Sequence, residues 1–341
     1  MDMDKHITSM LRVGVMGCAK FAIRSLIPEL HRHPAFQLVA LASRDRKKAE
    51  AVAKDYGCLA CTYDELLDQK EIDVVYVPLP TGLHAEWVQK CLHAGKHVLC
   101  EKSLGVCLAD VQHMVETARK RSLLLMENFQ FRFHSQHVTA KALLADGVLG
   151  EIRCFRSSFG FPPFADGAAN IRYKPELGGG ALLDAGAYTL KATTFMLGEG
   201  FEVRAASLQD SATYGVDVGG AIFLENASGL VSETAFGFDH FYQCNYEVWG
   251  SKGKLTVKRA FTAPPGFQPE MVVETPGRSE SRILPADNHF ANMLSHFAMA
   301  TRDAKMREAE YGECLEQARL IENVRICARR ENKRLSEDTR Q

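Results

Sequence analysis

Apolar residues follow two different rhythms along this chain, and one gives way to the other near Asn128. Before that point, short β-rich runs alternate with stretches of helical period. Leu11–Gly17, Phe36–Ala42, Ile72–Val77, the run opening at His97 and Leu123–Met126 read as strands apolar on both faces. Between them the spacing predicts helices over Lys20–His31, interrupted by Pro28, and over Arg46–Gly57, with glycine as the stop. Further helices are predicted at Tyr63–Leu67, Ala85–Ala94 (closed by Gly95) and Leu108–Arg121. Repeated βα units of this length imply a parallel sheet with right-handed crossovers.

After Asn128 comes an aromatic and polar stretch, Phe129 to His134, and a helix to about Ala145. From Glu151 the period is two. Strands are predicted at Arg153–Phe159, Val203–Leu208, Ala221–Leu224, Leu230–Ala235, Tyr246–Gly250 and Lys254–Lys258, with a hairpin turn at Asn226–Gly229. Phe290, Met293, Leu294 and Phe297 share one helical face, and a last helix covers about Glu308–Arg329, ahead of a charged, frayed tail. The fold class is therefore α/β: a parallel-sheet domain over residues 10–128, then an α+β domain with a largely antiparallel open sheet over 129–330.

Bulk properties narrow the function. A chain of 341 residues suits two domains. A formal net charge of −1 gives no footprint for nucleic acid or an anionic membrane. No apolar run approaches the ~20 residues of a membrane span. Residues 1–9 read as a loose polar extension without the apolar core of a secretion signal, which points to the cytoplasm. The ten cysteines are scattered, several in apolar runs, as buried thiols would be. Cys58-x-x-Cys61 lacks a second pair, and His31-x-His33 reads as a solvated helix end, so no metal site is expected.

Chemistry is concentrated in four stretches. Gly17, Cys18, Ala19, Lys20, Phe21 and Ala22 form G-x-A-x-x-A between the first strand and helix. This departs from the dinucleotide fingerprint only by a methyl at the second position, although a generic βα turn reads similarly. Ser43 and Arg44 end the second strand, where an NAD enzyme places a carboxylate. An arginine there accommodates a 2′-phosphate; a solvated basic helix start is the competing reading. Glu101 and Lys102 close the strand from His97, at the edge where open α/β sheets bind ligands; an ordinary surface lysine reads the same. Finally, Gly178-Gly-Gly180 opens a helix on which Asp184 and Tyr188 are i,i+4, with Lys191 three residues on. That stripe demands a polar partner, or is a surface ion pair beside a half-buried tyrosine.

The order and spacing of Gly17-x-Ala-x-x-Ala22, Pro80-Thr-Gly-Leu-His84, Val98-Leu-Cys-Glu-Lys102 and Gly178 to Tyr188 resemble the Gfo/Idh/MocA oxidoreductase family across nearly the whole chain. The resemblance implies a Rossmann domain, then a substrate domain whose open sheet mediates homo-oligomerisation as a dimer or tetramer. It implies NADP(H) as cofactor, with Ser43 and Arg44 at the 2′-phosphate. Tyr63, Leu79, Pro80, Thr81, His84 and Glu101 would line the cofactor. Lys102 would correspond to the lysine of the family's Glu-Lys-Pro motif, with Ser103 replacing the proline and leaving the turn less constrained. Tyr188 stands where the inositol and sugar dehydrogenases carry a histidine, and Lys191 where many carry an aspartate.

These features are similar to the nucleotide-sugar 3-ketoreductases of deoxysugar pathways and, less closely, to dihydrodiol and xylose dehydrogenases. A phenol is protonated at neutral pH and suits donation to a developing alkoxide. The expectation is reduction of a ketone on a sugar, with the sugar nucleotide-linked and the keto group at C3. NADPH would supply the hydride, Lys102 and Tyr188 the proton, and Asp184 would orient a hydroxyl or Lys102. Arg132, Arg172 and Tyr242 are the candidate substrate contacts. The alternatives are an NADP-dependent dehydrogenase working oxidatively, and a silent cofactor-sensing regulator.

Overall fold

The computed structural model describes residues 10–338, so the extension expected over 1–9 lies outside the described residues. The chain forms two compact units. One comprises the segments up to 105, 109–128 and 290–315; the other comprises 106–108, 129–289 and 316 onward.

The first unit opens with β1 (Leu11–Met16), α1 (Lys20–Arg24) and α2 (Leu26–Arg32). The helix break expected at Pro28 falls instead at Ser25, with φ −120° and ψ −64°. A proline ring clashes with the carbonyl four residues back, here that of Arg24, so the chain kinks just after it. Pro28 then occupies the first turn of α2, where no N–H is needed. There follow β2 (Phe36–Ala42), α3 (Arg46–Tyr56), β3 (Leu59–Cys61), α4 (Tyr63–Asp68), β4 (Val74–Val77), α5 (His84–His93), β5 (His97–Glu101), α6 (Leu108–Lys120) and β6 (Leu125–Asn128). The six strands pair in the order β3-β2-β1-β4-β5-β6, all parallel. This is the doubly wound arrangement, whose ligand crevice lies beyond the strand ends where the order reverses, between β1 and β4. Strand β4 is buried along its whole length, as its run of apolar residues requires.

In the second unit, α7 (Ser135–Ala145) and β7 (Ile152–Gly160) precede α8 (Ala187–Leu197). Seven strands follow: β8 (Phe201–Ser211), β9 (Val216–Asn226), β10 (Val231–Gly237), β11 (Gln243–Gly250), β12 (Lys254–Val257), β13 (Glu270–Thr275) and β14 (Arg278–Ile283). They form an eight-stranded sheet in the order β14-β13-β12-β11-β7-β10-β9-β8. Every neighbouring pair is antiparallel except β7 with β10. Phe155, Ser157 and Phe159 point toward α8, and Ser157 Oγ donates to the Thr189 carbonyl. The opposite face carries cross-strand ion pairs, Arg156 with Glu233 at 2.6 Å and Lys254 with Glu274 at 2.8 Å. The β13–β14 hairpin is absent from the strand pattern read above. Arg278–Ile283 alternates charge with serine instead of apolar with polar, as an edge strand protected from further pairing does.

Helices α9 (His289–Ala300) and α10 (Ala304–Asp338) complete the chain. Phe290, Met293, Leu294 and Phe297 are buried as expected, but in the first unit, where Phe297 lies 6.4 Å from Phe36 ring to ring. The continuous second domain expected over 129–330 is thus interrupted at 290–315. An apolar face shows that a helix covers a sheet without showing which sheet. Helix α10 begins before Glu308 and continues through Arg330, where a frayed tail is expected. No helix among the described residues is long and apolar enough to cross a membrane.

Candidate active site

At the end of β1, Gly17 has φ +127°, and a Cβ there would stand 3.0 Å from Leu79 Cδ2 and 3.4 Å from the Pro78 carbonyl. Only glycine turns the chain this way against that neighbour. Cys18 is buried and its thiol is pushed up by burial, so its side chain serves packing. Ala19 occupies the N-cap of α1 without a side-chain acceptor, so neither turn nor cap puts a side chain over the leading amides of the helix.

Ser43 and Arg44 follow β2. Ser43 is buried and its Oγ accepts from the Asp45 amide at 3.2 Å, while Arg44 is exposed. The Asp45 carboxylate is committed to capping α3, accepting from the Lys47 and Lys48 amides at 3.0 and 3.4 Å. Burial pushes the Tyr63 phenol up, and the positive charge of Arg44 opposes this. A guanidinium, a hydroxyl and an already occupied carboxylate fit a 2′-phosphate better than a 2′-hydroxyl.

Two of the expected cofactor residues turn inward. His84 is fully buried; Nδ1 lies 2.8 Å from the Ser103 carbonyl and Nε2 lies 2.8 Å from the Leu79 carbonyl. Its ring ties the loop after β4 to the turn after β5. Burial holds its pKa below the ordinary imidazole value. The Glu101 carboxylate likewise points into the unit, with Oε1 accepting from Tyr76 Oη at 2.6 Å and Asn128 Nδ2 at 2.8 Å. Burial pushes that carboxyl up. Each side chain is spent on bracing a loop.

The Lys102–Ser103 peptide is cis. Ser103 is buried, its carbonyl meets His84, and the next amide, Leu104, donates to Glu127 Oε1 at 2.8 Å. The turn expected to be less constrained for want of a proline is therefore held by side chains on both sides. Leu79, Pro80 and Thr81 remain half-buried beside it.

In the second unit the glycine run has a packing reason. Gly180 has φ +116°, and a Cβ there would lie 2.4 Å from Asp217 Oδ1. Asp217 Oδ2 accepts from the Leu182 amide at 2.5 Å, anchoring the start of the helix. The first turn, Leu182–Gly186, is π-helical and passes into α8. Such wider turns gather at functional sites. This one replaces the i,i+4 stripe expected for Asp184 and Tyr188.

Asp184 Oδ2 accepts from Arg172 Nε at 2.6 Å, and the guanidinium also lies over the Phe164 ring at 4.7 Å. Arg172 is held above its ordinary value, first by Asp184 and more weakly by Tyr188, so it is within electrostatic reach of both. Lys191 is not the surface lysine expected: it is 2% exposed and sits 5.6 Å from the Phe129 ring. Tyr188 is buried among Phe129, Phe131, Phe159 and Phe261, with ring centroids 5.1 to 5.9 Å away. Gln130 Nε2 donates to its hydroxyl at 3.4 Å. Arg132 lies over Phe133, and Tyr242 Oη is 3.0 Å from Thr262 Oγ1.

The other singled-out residues are structural. Cys58 and Cys61 bond backbone carbonyls, and burial pushes both thiols up to about 11. His33 is buried against Ser295 at 3.0 Å, contrary to the solvated helix end expected.

With these groups in place, the description "Oxidoreductase family, NAD-binding Rossmann fold" matches residues 11–129, and a "GFO/IDH/MocA C-terminal domain" matches 137–256. The chain belongs to the Gfo/Idh/MocA oxidoreductase family. It is 39% identical, over 93% of its length and 95% of the relative's, to a dTDP-3,4-didehydro-2,6-dideoxy-alpha-D-glucose 3-reductase of Streptomyces violaceoruber. A D-xylose 1-dehydrogenase (NADP(+)) of Haloferax volcanii is 31% identical, over 91% of this chain and 95% of its own. The crystal structure of a 3-ketoreductase from Actinomadura kijaniata in complex with NADP and TDP-benzene superposes with a TM-score of 0.90. That protein is 39% identical, covering 94% of this chain and 98% of its own.

Within this Gfo/Idh/MocA chain, sequence reasoning missed Tyr76, Asn128, Gln130 and Asp217. Only Tyr76 left a signal: a phenol on an otherwise aliphatic buried strand needs a partner.

Proposed function

We propose that this protein is an NADPH-dependent ketoreductase that reduces the C3 keto group of a dTDP-linked keto-deoxysugar. The observation that carries the reading is the phenol of Tyr188, enclosed by four aromatic rings. An ordinary phenol keeps its proton at neutral pH, so it serves reduction where a histidine would serve oxidation. The 39–40% identity to sugar-nucleotide 3-reductases over nearly full length supports the substrate class.

NADPH, when bound, supplies the hydride. The Gly17 turn and the amides after it receive the pyrophosphate, and Ser43 and Arg44 receive the 2′-phosphate. The Lys102 ammonium stabilises the negative charge that develops on the keto oxygen. Tyr188 delivers the proton to that oxygen, and Gln130 fixes its hydroxyl. Asp184, held by Arg172, orients a sugar hydroxyl or Lys102. Arg132 and Tyr242 contact the substrate. The enzyme works in the cytoplasm as a homo-oligomer built on the open face of the second unit's sheet.

The test is initial rates of NADPH oxidation with a dTDP-linked 3-keto-deoxysugar, alongside NADP⁺ reduction with xylose and a trans-dihydrodiol. Reduction dominates. Lys102→Ala and Tyr188→Phe each lower kcat by roughly a hundredfold or more, the scale of a lost general acid. Near wild-type turnover in both variants, or faster oxidation than reduction, would replace this reading.

A further inference from the structure

Five aromatic side chains are exposed among the described residues, and three of them gather at one end of the second unit's sheet. Phe241 is 86% exposed, Phe267 38% and Tyr242 36%. They lie on the loops after β10 and β12. Exposed aromatics clustered in this way mark a binding surface. Between Tyr242 and Phe267 stands the guanidinium of Arg259, 5.0 Å from one ring centre and 5.9 Å from the other. Its polar contact is Nε to the Thr262 carbonyl at 3.4 Å, and among the described residues it makes no ion pair. The contrast within the unit is sharp, since Arg156, Arg172, Arg204 and Arg319 each hold a carboxylate.

The patch is linked to Tyr188 by packing. Tyr242 Oη bonds Thr262 Oγ1 at 3.0 Å, and the preceding Phe261 lies 5.7 Å from Tyr188 ring to ring. Phe261 is itself buried, so the surface and Tyr188 are joined through this packed ring.

Resting on the function proposed above, we infer that Arg259, Tyr242 and Phe267 are the docking platform for the substrate's nucleoside diphosphate. A free sugar has no use for an uncompensated cation flanked by two aromatic faces. A nucleoside diphosphate uses both features: its base stacks on a ring, and its phosphate oxygens accept from the guanidinium fork. Arginine can do this while remaining over the rings, as lysine cannot.

The experiment is calorimetric titration of the full chain with dTDP and, separately, with thymidine. Arg259→Met weakens dTDP roughly tenfold or more, the scale of a lost charge-assisted bond, and leaves thymidine within about twofold. Phe267→Leu weakens both ligands. Arg259→Lys, which keeps charge and bulk, falls between wild type and Arg259→Met and stands in if the latter unfolds. Wild-type affinity for dTDP in the Arg259 variants overturns the platform while leaving the reductase reading intact. A change in oligomer size at unchanged dTDP affinity overturns it in favour of a contact between copies of the chain. A wild-type protein that binds no dTDP overturns the function proposed above, and the platform with it.

Discussion

Arg172 Nε donates to Asp184 Oδ2 across 2.6 Å, and this bond joins a loop to the π-turn that leads into α8. Arg172 is a candidate substrate contact in the sequence, but its charge is already compensated. Asp184 is the more buried partner, with 18% of its side chain exposed against 36% for the arginine. Removing the guanidinium takes a charge-assisted hydrogen bond from a largely buried carboxylate, which costs about 1–3 kcal/mol. Arg172→Met should lower the urea midpoint accordingly, and Arg172→Met/Asp184→Asn should recover part of the loss. Two additive single-mutant effects would mean that the pair does not couple.

The doubly wound sheet was legible because its strands are apolar on both faces. Val74–Val77 has no other reading. Gly17 and Gly57 mark the turns on either side of β2 and α3 for the same physical reason, a backbone that L side chains rarely adopt. The site was less legible where a residue's type and its partner come apart. For His84 and Glu101 the family resemblance implies a place along the cofactor, which residue type alone does not settle. Their partners, the carbonyls of Leu79 and Ser103 and the side chains of Tyr76 and Asn128, are brought together only by the fold. The π-turn leaves no periodicity of its own in five residues. Asp184 and Arg172 are separated by a glycine run whose path no local rule predicts.

Arg44 offers a direct test of cofactor choice. It is exposed beyond β2, and the neighbouring Asp45 spends its carboxylate on the Lys47 and Lys48 amides. With no competing acid, the guanidinium is the group that tells a 2′-phosphate from a hydroxyl. Arg44→Ser should raise the Kd for NADPH roughly tenfold or more, as a lost charge-assisted contact implies, and leave NADH nearly unchanged. Fluorescence titration with both nucleotides checks this. An equal loss for both would mean that Arg44 supports the loop and reads no phosphate.

His84 is predicted to position Lys102 without touching the substrate. Its two nitrogens are each 2.8 Å from a backbone carbonyl, one on the loop after β4 and one directly after Lys102. His84→Phe fills the space but carries no donor. Leaving unsatisfied the buried carbonyl that the neutral ring's N–H serves costs about 1–3 kcal/mol, and the loosened turn should lower kcat more than it raises KM. His84→Asn, which restores a donor on a shorter side chain, should recover part of the rate. Thermal melts and steady-state kinetics together check this. A loss confined to the melting temperature would make His84 purely structural.

Acid should destabilise the protein earlier than its carboxylates alone would. Burial lowers His137 and His289 to about 3 and His97 to about 4. His97 Nδ1 accepts from the Leu124 amide, so that ring is built to stay neutral. The unfolded chain takes protons on these histidines below about pH 6.5 and the native chain does not. Stability is therefore unaffected above about pH 7.5 and falls as pH drops, by about 1.4 kcal/mol per pH unit for each histidine, until the folded values are reached. Glu101 and Asp217 act the other way, because burial raises them and the native state takes their protons first. That opposition is confined to the interval between their raised values and about pH 4, so the histidines dominate from pH 6.5 toward 5. Urea midpoints at pH 7.5, 6 and 5 should fall steadily. The slope should shrink in His137→Gln, which replaces a titrating ring beside Tyr246 and Ala260 by a neutral amide. A midpoint constant across that range would show that the buried rings accept protons in place.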